Sequence, residues 1–191
     1  MIRITKYILH GGNTGEINND NNNFFKEMTS DLKGKVRILL NYFAREENEI
    51  KELAKQDRGR LLKYSKNKNL EFQIASVKKF EKQLIWANVM YMRGGVTNKL
   101  VKKLRKIKNI ERLFEGKIIA GSSAGAYALS RYYFGNDTKI LGKGLGILNI
   151  KCYCHCKTKD TKIIKKLMGY KEKLPLILLP NYKMLIIYKK Y

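Results

Sequence analysis

The chain has few histidines, cysteines and prolines and no long apolar run, and these shortages exclude several classes of protein. Its 191 residues include two histidines, three cysteines and two prolines. No stretch approaches the roughly 18 consecutive apolar residues of a membrane-spanning helix. The apolar run at residues 7–9 is too short for the core of a signal peptide. We therefore expect a cytoplasmic protein that has no membrane partner.

The three cysteines, Cys152, Cys154 and Cys156, fall in one short segment. An odd number of cysteines argues against a disulfide framework. Their spacing matches no common structural zinc site, so we expect no metal. The segment alternates like a strand, which predicts all three thiols on one face and Tyr153 and His155 on the other.

Acidic residues are also scarce, since 40 lysines and arginines face 16 aspartates and glutamates, a formal net charge of +24. Such a surface is typical of proteins that bind polyanions. The lysines are nevertheless spread along the chain, and asparagine, isoleucine and tyrosine, which are also abundant, share their A/T-rich codons. We favour a compositional origin of the charge and do not expect nucleic acid as a partner. Either origin produces a field that attracts small anions at low salt.

Short strand-like runs alternate with longer helical periods along the chain. This order predicts βαβ crossovers and a three-layer α/β/α fold around a mostly parallel central sheet. We expect one domain over residues 1–191, because no linker or repeat interrupts the pattern. The predicted strands cover residues 6–10, 36–44, 70–75, 89–93, 117–120, 148–155, 176–179 and 184–188. The predicted helices cover residues 23–30, 46–64, 77–87, 98–115, 124–132 and 161–171.

The most informative segment covers residues 117–132, where an apolar strand leads into Gly121-Ser-Ser-Ala-Gly125 and then a helix. Ser123 stands at the apex with a glycine two residues to each side, the layout of a nucleophile elbow. Bulk at those two positions would collide across the turn. A small-residue turn or a phosphate site at a helix start is the alternative. A P-loop is excluded, because no Gly-Lys-Ser/Thr follows.

A serine nucleophile needs a base, and the chain offers only His10 and His155. His155 follows Ser123 at the end of a predicted strand, whereas His10 abuts two glycines and could be a pocket wall. Asp137 is the only acidic residue between Ser123 and His155, which makes it the candidate for orienting the imidazole. A turn aspartate more often caps a neighbouring amide.

An oxyanion hole would use backbone N–H groups near the nucleophile. The N–H of Ala124, directly after Ser123, is one candidate donor. The second would come from Gly94 or Gly95, at the end of the preceding predicted strand.

Three segments together resemble a known family, the serine peptidases of dipeptidase E and cyanophycinase. They are residues 91–97 (Tyr-Met-Arg-Gly-Gly-Val-Thr), residues 116–126 around the elbow, and residues 144–148, which lead to His155. Residues 43–47 and 179–182 also resemble the more compact members of the family. The resemblance runs from about Tyr7 to the C-terminus. It implies a class I glutamine-amidotransferase-like fold, with serine in place of the usual cysteine. It also implies hydrolysis of short peptides, in the best-known members those with N-terminal aspartate.

Carried over residue by residue, Ser123 matches the nucleophile, His155 the base and Asp137, approximately, the third member. Gly94 or Gly95 and Ala124 match the oxyanion positions. The chain departs from the family pattern in two places. Val96 stands where asparagine is usual, and Cys156 follows the histidine where an aromatic residue is common.

An acidic substrate side chain would need a cation in the pocket, and Arg45 and Arg93 end predicted strands beside the cleft. Thr97, in the same turn as Gly94 and Gly95, is a further candidate contact. The alternative is that the two arginines pair with nearby glutamates such as Glu46 and Glu47.

We therefore predict a serine peptidase that acts on short peptides and needs neither metal nor organic cofactor. One alternative is a non-catalytic basic binding protein on the same fold. Another is an esterase or amidase that uses the same elbow, because the fold alone does not determine the reaction.

Overall fold

The computed structural model describes residues 2–157 and 159–191, which form two sheets flanked by helices. The strands are β1 (Ile4–His10), β2 (Val36–Asn41), β3 (Leu70–Ile74), β4 (Val89–Met92), β5 (Ile118–Ser122), β6 (Ser130–Phe134), β7 (Leu141–Lys143), β8 (Leu148–Cys154), β9 (Leu176–Leu179) and β10 (Met184–Lys190). The helices are α1 (Asn19–Glu27), α2 (Glu47–Tyr64), α3 (Phe80–Trp86), α4 (Thr97–Leu104), α5 (Ile110–Phe114), α6 (Ala124–Leu129) and α7 (Thr161–Met168).

The central sheet has six strands in the order β10-β1-β5-β4-β2-β3, and only β10 runs antiparallel to its neighbour. The predicted mostly parallel sheet flanked by helices is thereby confirmed. His10 pairs with Ser122, and Gly121 pairs with Met92. The carboxyl ends of β1, β5 and β4 therefore lie side by side, where ligands bind in parallel sheets.

Helices cover both faces of the central sheet because its strands are apolar on both sides. Along β1, Tyr7 and Leu9 pack among residues of α3 to α6, whereas Ile8 packs among residues of α1 and α2. The first face includes Phe114, and the second includes Phe24, both fully buried. No helix in the described part of the chain has the length and apolarity to cross a membrane.

A second sheet, ordered β7-β6-β8-β9, follows the elbow helix in the chain, and the sequence prediction missed two of its strands. The helix predicted over residues 124–132 ends at Leu129, and β6 begins at Ser130. The residues Arg-Tyr-Tyr-Phe that follow Ser130 favour a strand, because aromatic side chains pack well on a pleated surface. The short strand β7 was not predicted at all.

The helix predicted over residues 98–115 is also interrupted, because α4 ends at Leu104 and α5 starts at Ile110. Asn109 has a φ of 51° in the intervening turn, a left-handed conformation that asparagine tolerates. The apolar stripe of the sequence thus continues across two short helices.

The prediction that all three cysteines share one face is wrong for Cys156. Cys152 and Cys154 lie in the core between the two sheets, whereas Cys156 packs with Tyr153 on the side of α7. His155 between them has a φ of 55°, and this left-handed residue breaks the strand alternation. Within the described residues, no group of His, Cys, Asp or Glu is arranged to hold a metal.

His10 is fully buried at the end of β1, with its ring 4.3 Å from that of Phe24 between centroids. Its Nδ1 accepts a hydrogen bond from Gly12 N–H at 3.1 Å. Burial lowers the pKa of His10 to about 4. The imidazole is therefore neutral in the folded protein at pH values where the unfolded chain already binds a proton.

Acidification should for this reason destabilise the fold through His10. Above pH 6.5 His10 is neutral in the folded and the unfolded protein, and its protonation does not reduce the stability. As the pH falls towards 4, the unfolded chain binds a proton that the folded protein excludes, and stability is lost. Between pH 7 and pH 4.5 we expect about 2 kcal/mol more loss in unfolding free energy for wild type than for His10→Asn. Urea unfolding of both proteins at the two pH values measures the difference. Equal losses would contradict the burial argument.

Candidate active site

Ser123 occupies a strained turn between β5 and α6, with φ 48° and ψ −101°. The flanking glycines make this turn sterically feasible. A Cβ on Gly121 would lie 2.5 Å from the carbonyl carbon of Gly125, and one on Gly125 would lie 2.6 Å from Met92 O. A non-glycine residue held in such a conformation is typical of functional sites, because the surrounding packing must compensate for the strain.

The Ser123 hydroxyl meets the imidazole of His155, with 2.8 Å between Oγ and Nε2. His155 reaches this position from the end of β8 because its backbone is left-handed and its N–H donates to Gly11 O at 3.1 Å. The ring lies directly on Gly12, where a Cβ would come within 2.0 Å of His155 Cε1. The structure thus brings together the two groups that a nucleophile–base pair requires.

The other ring nitrogen of His155 forms a hydrogen bond with a residue to which the sequence analysis assigned no role in the site. Nδ1 lies 2.6 Å from Oδ1 of Asn181, in the loop between β9 and β10. An oxygen acceptor at Nδ1 places the imidazole proton there and leaves Nε2 free to accept from the serine. Asn181 therefore stands where a triad has its carboxylate.

The loop that contains Asn181 is held against the chain after β1 by contacts of the residues before and after Asn181. The N–H of Tyr182 donates to Gly12 O at 3.2 Å, and the Tyr182 hydroxyl donates to Glu16 Oε2 at 2.6 Å. A Cβ on Gly11 would lie 1.9 Å from Pro180 O. The chain after β1 and the Asn181 loop are therefore in direct backbone contact.

Asp137, the residue expected beside the imidazole, occupies a different place. It is exposed in the turn after β6, and that turn closes on itself through Gly135 N–H to Ile140 O at 2.9 Å. Its neighbour Asn136 is the residue that reaches β8, where Nδ2 donates to Cys154 O at 2.7 Å. Asp137 lines the cavity beside Ser123, but the structure gives the Nδ1 position of His155 to Asn181.

The expected oxyanion donors lie close to Ser123. A Cβ on Gly94 would come within 3.2 Å of Ser123 Cβ, so this backbone runs alongside the nucleophile. Gly95 has a φ of 153°, and a Cβ there would lie 2.4 Å from Ala44 O. Within the described residues, no acceptor takes the N–H of Gly95 or of Ala124. Both groups are free to bind a negatively charged oxygen.

Seven of the nine predicted site residues line one cavity of about 440 Å³. They are Arg45, Arg93, Gly94, Gly95, Ser123, Asp137 and His155. Thr97 lines a smaller adjoining cavity of about 50 Å³, which Ser123 and His155 also border. Ala124 is fully buried and can contribute only its backbone.

Arg45 is engaged with protein groups in this cavity. Its Nε donates to Gly94 O at 2.5 Å, and its Nη1 lies 3.2 Å from Glu49 Oε1. Arg45 thus pairs with a nearby glutamate, as the alternative expected, but this partner is neither Glu46 nor Glu47, and Glu46 instead pairs with a lysine of α4. Glu49 takes the role because position i+4 on a helix start faces residue i.

Arg93 is buried and forms an ion pair with Asp57 of α2, with 2.5 Å between Nη1 and Oδ1. The hydroxyl of Tyr42 donates to the other carboxylate oxygen at 2.8 Å, and burial raises the pKa of Tyr42 so that it keeps its proton. The charge of Arg93 is thereby offset within the fold. Arg93 therefore lines the cavity as a paired charge.

Two carboxylates also line the cavity, those of Glu16 and Asp137. Within the described residues, no lysine or arginine lies in salt-bridge range of either one. The two arginines that line the cavity are paired with acids, whereas these two carboxylates have no such partner in the described part of the chain.

A strained serine that is hydrogen-bonded to histidine at the carboxyl edge of a parallel sheet is the arrangement of a serine hydrolase. The model of the family described as Peptidase family S51 matches residues 8–190. The chain belongs to this family and is a serine peptidase.

Solved structures support the same fold. A protein from Listeria monocytogenes EGD-e, named as a candidate peptidase E, shares 18% identity over 98% of this chain and 99% of its own, with a TM-score of 0.67. A peptidase from an acI-B1 Actinobacterium shares 20% identity over 99% of this chain and 88% of its own, with a TM-score of 0.72. No curated protein matches the chain.

Adding a methyl group at Gly12 tests whether the close approach of His155 matters. The Cβ of Gly12→Ala would overlap the imidazole, so we expect Ser123 to react about 100-fold more slowly with a fluorophosphonate. Gly34→Ala is the matched control, because Gly34 also has a positive φ, 68°, but no atom within 4 Å of its Cβ position. Equal labelling rates for the two variants would show that the contact is unimportant.

Proposed function

We propose that the chain hydrolyses short peptides through an acyl-enzyme formed on Ser123, with His155 as general base. The observation that carries the proposal is the 2.8 Å contact between Ser123 Oγ and His155 Nε2, made by a serine held in a strained turn. The hydroxyl attacks the scissile carbonyl and transfers its proton to Nε2. The N–H groups of Gly95 and Ala124 donate hydrogen bonds to the carbonyl oxygen and stabilise the negative charge that develops on it.

The tetrahedral intermediate then collapses, and the C–N bond breaks as Nε2 returns the proton to the leaving amine. A water molecule loses a proton to the same nitrogen and attacks the acyl carbon. The Ser123–acyl bond breaks, the serine regains its proton, and the peptide fragment leaves as a carboxylic acid. Throughout, Asn181 Oδ1 keeps the second imidazole proton on Nδ1.

Asn181 takes the place of the carboxylate in a Ser-His-Asp triad, and this difference has a measurable consequence. Asn181 fixes the tautomer, but it carries no charge to stabilise the imidazolium that forms during attack. We expect Asn181→Asp to raise kcat about tenfold, and Asn181→Leu to lower it by a similar or larger factor, with little change in KM. Asn149→Asp adds the same charge on the exposed face of β8 and serves as the control. An unchanged kcat in Asn181→Leu would remove Asn181 from the mechanism.

The cavity favours a substrate with a free amino group. Its volume of about 440 Å³ suits a small ligand, and the carboxylates of Glu16 and Asp137 line it without a cationic partner among the described residues. An α-ammonium group next to the scissile carbonyl would supply that cation. We therefore propose dipeptides with a free N-terminus as substrates. Aspartyl dipeptides are included because of the family resemblance, although Arg45 and Arg93 already have acidic partners.

A substrate panel tests this proposal. Aspartyl, alanyl and lysyl dipeptides, each free and N-acetylated, are incubated with wild type and Ser123→Ala, and the released amino acids are quantified. Wild type should cleave the free dipeptides at least about tenfold faster than the acetylated ones, because only the former carry the ammonium group. Ser123→Ala should be inactive. Equal cleavage of acetylated peptides would contradict recognition of the amino group, and cleavage of esters alone would favour an esterase.

We also propose the cytoplasm as the compartment of this activity. The support is that Cys152, Cys154 and Cys156 are all free thiols, as is usual in a reducing environment.

A further inference from the structure

We propose that Arg45 is a positioning residue of the oxyanion hole, which sets the orientation of the Gly94–Gly95 peptide unit. The inference rests on the proposed function and assigns Arg45 a role other than substrate binding. The key contact is the 2.5 Å hydrogen bond from Arg45 Nε to Gly94 O.

The carbonyl of Gly94 and the N–H of Gly95 belong to the same planar peptide unit. In a trans peptide these two groups point in opposite directions, and the described residues contain no cis bond. Because the guanidinium of Arg45 holds the carbonyl, the N–H must face away from Arg45. It has no acceptor within the described residues, and its peptide borders the cavity that contains Ser123.

A second contact holds the same turn from the neighbouring backbone. Val96 N–H donates to Ala44 O at 2.8 Å, one residue before Arg45. Gly95 fits over Ala44 only because it has no side chain, and its φ of 153° is a conformation that glycine alone adopts readily. Glycine is also the residue whose peptide units rotate most freely. An external hydrogen bond is therefore needed to hold this one in a single orientation.

Arg45 is itself anchored to the start of α2. Its Nη1 contacts Glu49 Oε1 at 3.2 Å, while Glu49 Oε2 accepts from Glu46 N–H at 3.0 Å in the capping box of that helix. The first turn of α2 thus holds the guanidinium plane, and the guanidinium holds the Gly94 carbonyl. Lysine could not reproduce this arrangement, because its single ammonium is not a planar fork.

The experiment compares Arg45→Ala and Arg45→Lys with Arg131→Ala. Arg131 is a matched control, because its side chain is 38% exposed against 31% for Arg45, and it pairs with Glu172 at the same 3.2 Å but far from Ser123. The substrates are the p-nitroanilides of alanine and aspartate. We expect Arg45→Ala to lower kcat at least about 30-fold for both substrates, with KM changed less than threefold, because a misdirected donor is lost only in the transition state.

Arg45→Lys should recover less than one tenth of the lost activity, and Arg131→Ala should match wild type. Fluorophosphonate labelling of Ser123 should slow in parallel with kcat, since the phosphonyl oxygen accepts hydrogen bonds from the same donors while the serine attacks phosphorus and displaces fluoride. If Arg45→Ala raised KM for the aspartyl substrate alone and left kcat unchanged, Arg45 would be assigned to substrate binding and the inference would be overturned. A kcat within twofold of wild type for both substrates would overturn it as well. Failure of the proposed function is distinguishable, because wild type itself would then neither label nor cleave.

Discussion

The site depends on the two glycines that follow β1. Gly11 and Gly12 have no side chains, so the Leu179–Pro180 backbone and the imidazole of His155 can both pack directly against them. His155 N–H and Tyr182 N–H each donate to a carbonyl of this pair. One short backbone segment thus fixes the distance between the base and its orienting group, and it positions both relative to Ser123, whose N–H donates to His10 O at 2.9 Å.

The two arginines of the cleft have acidic partners, although the chain as a whole carries a large positive charge. Each arginine beside Ser123 is matched with an acid on α2, Arg45 with Glu49 and Arg93 with Asp57. Removing one partner of such a pair leaves the other charge uncompensated, so the pairs hold the backbone around them in place. The same helix therefore stabilises an arginine that lines the cavity and the turn that carries Gly94. The high net charge of the chain contributes to neither interaction.

The central sheet and the elbow could be predicted from the sequence because each depends on local spacing, and His155 because the chain offers only two histidines. Glycines two residues from Ser123 and an apolar strand before it are visible without coordinates. Asn181 was missed because a search for an orienting carboxylate between serine and histidine cannot find an amide beyond the histidine. Its position follows from β9 pairing with β8 and β10 with β1, which are long-range contacts. The two-part helix was missed because its apolar stripe continues across the turn at Asn109, and β6 was missed because the strand preference of its aromatic residues was not weighed against the preceding helix.

The central claim is that His155 activates the hydroxyl of Ser123. The most direct measurement is peptide-level mass spectrometry after reaction with a fluorophosphonate, carried out on wild type, Ser123→Ala and His155→Gln. The account predicts one phosphonyl adduct on Ser123 in wild type, none in Ser123→Ala and a strongly reduced amount in His155→Gln. An adduct on a different residue, or equal labelling of Ser123 without the imidazole, would contradict it.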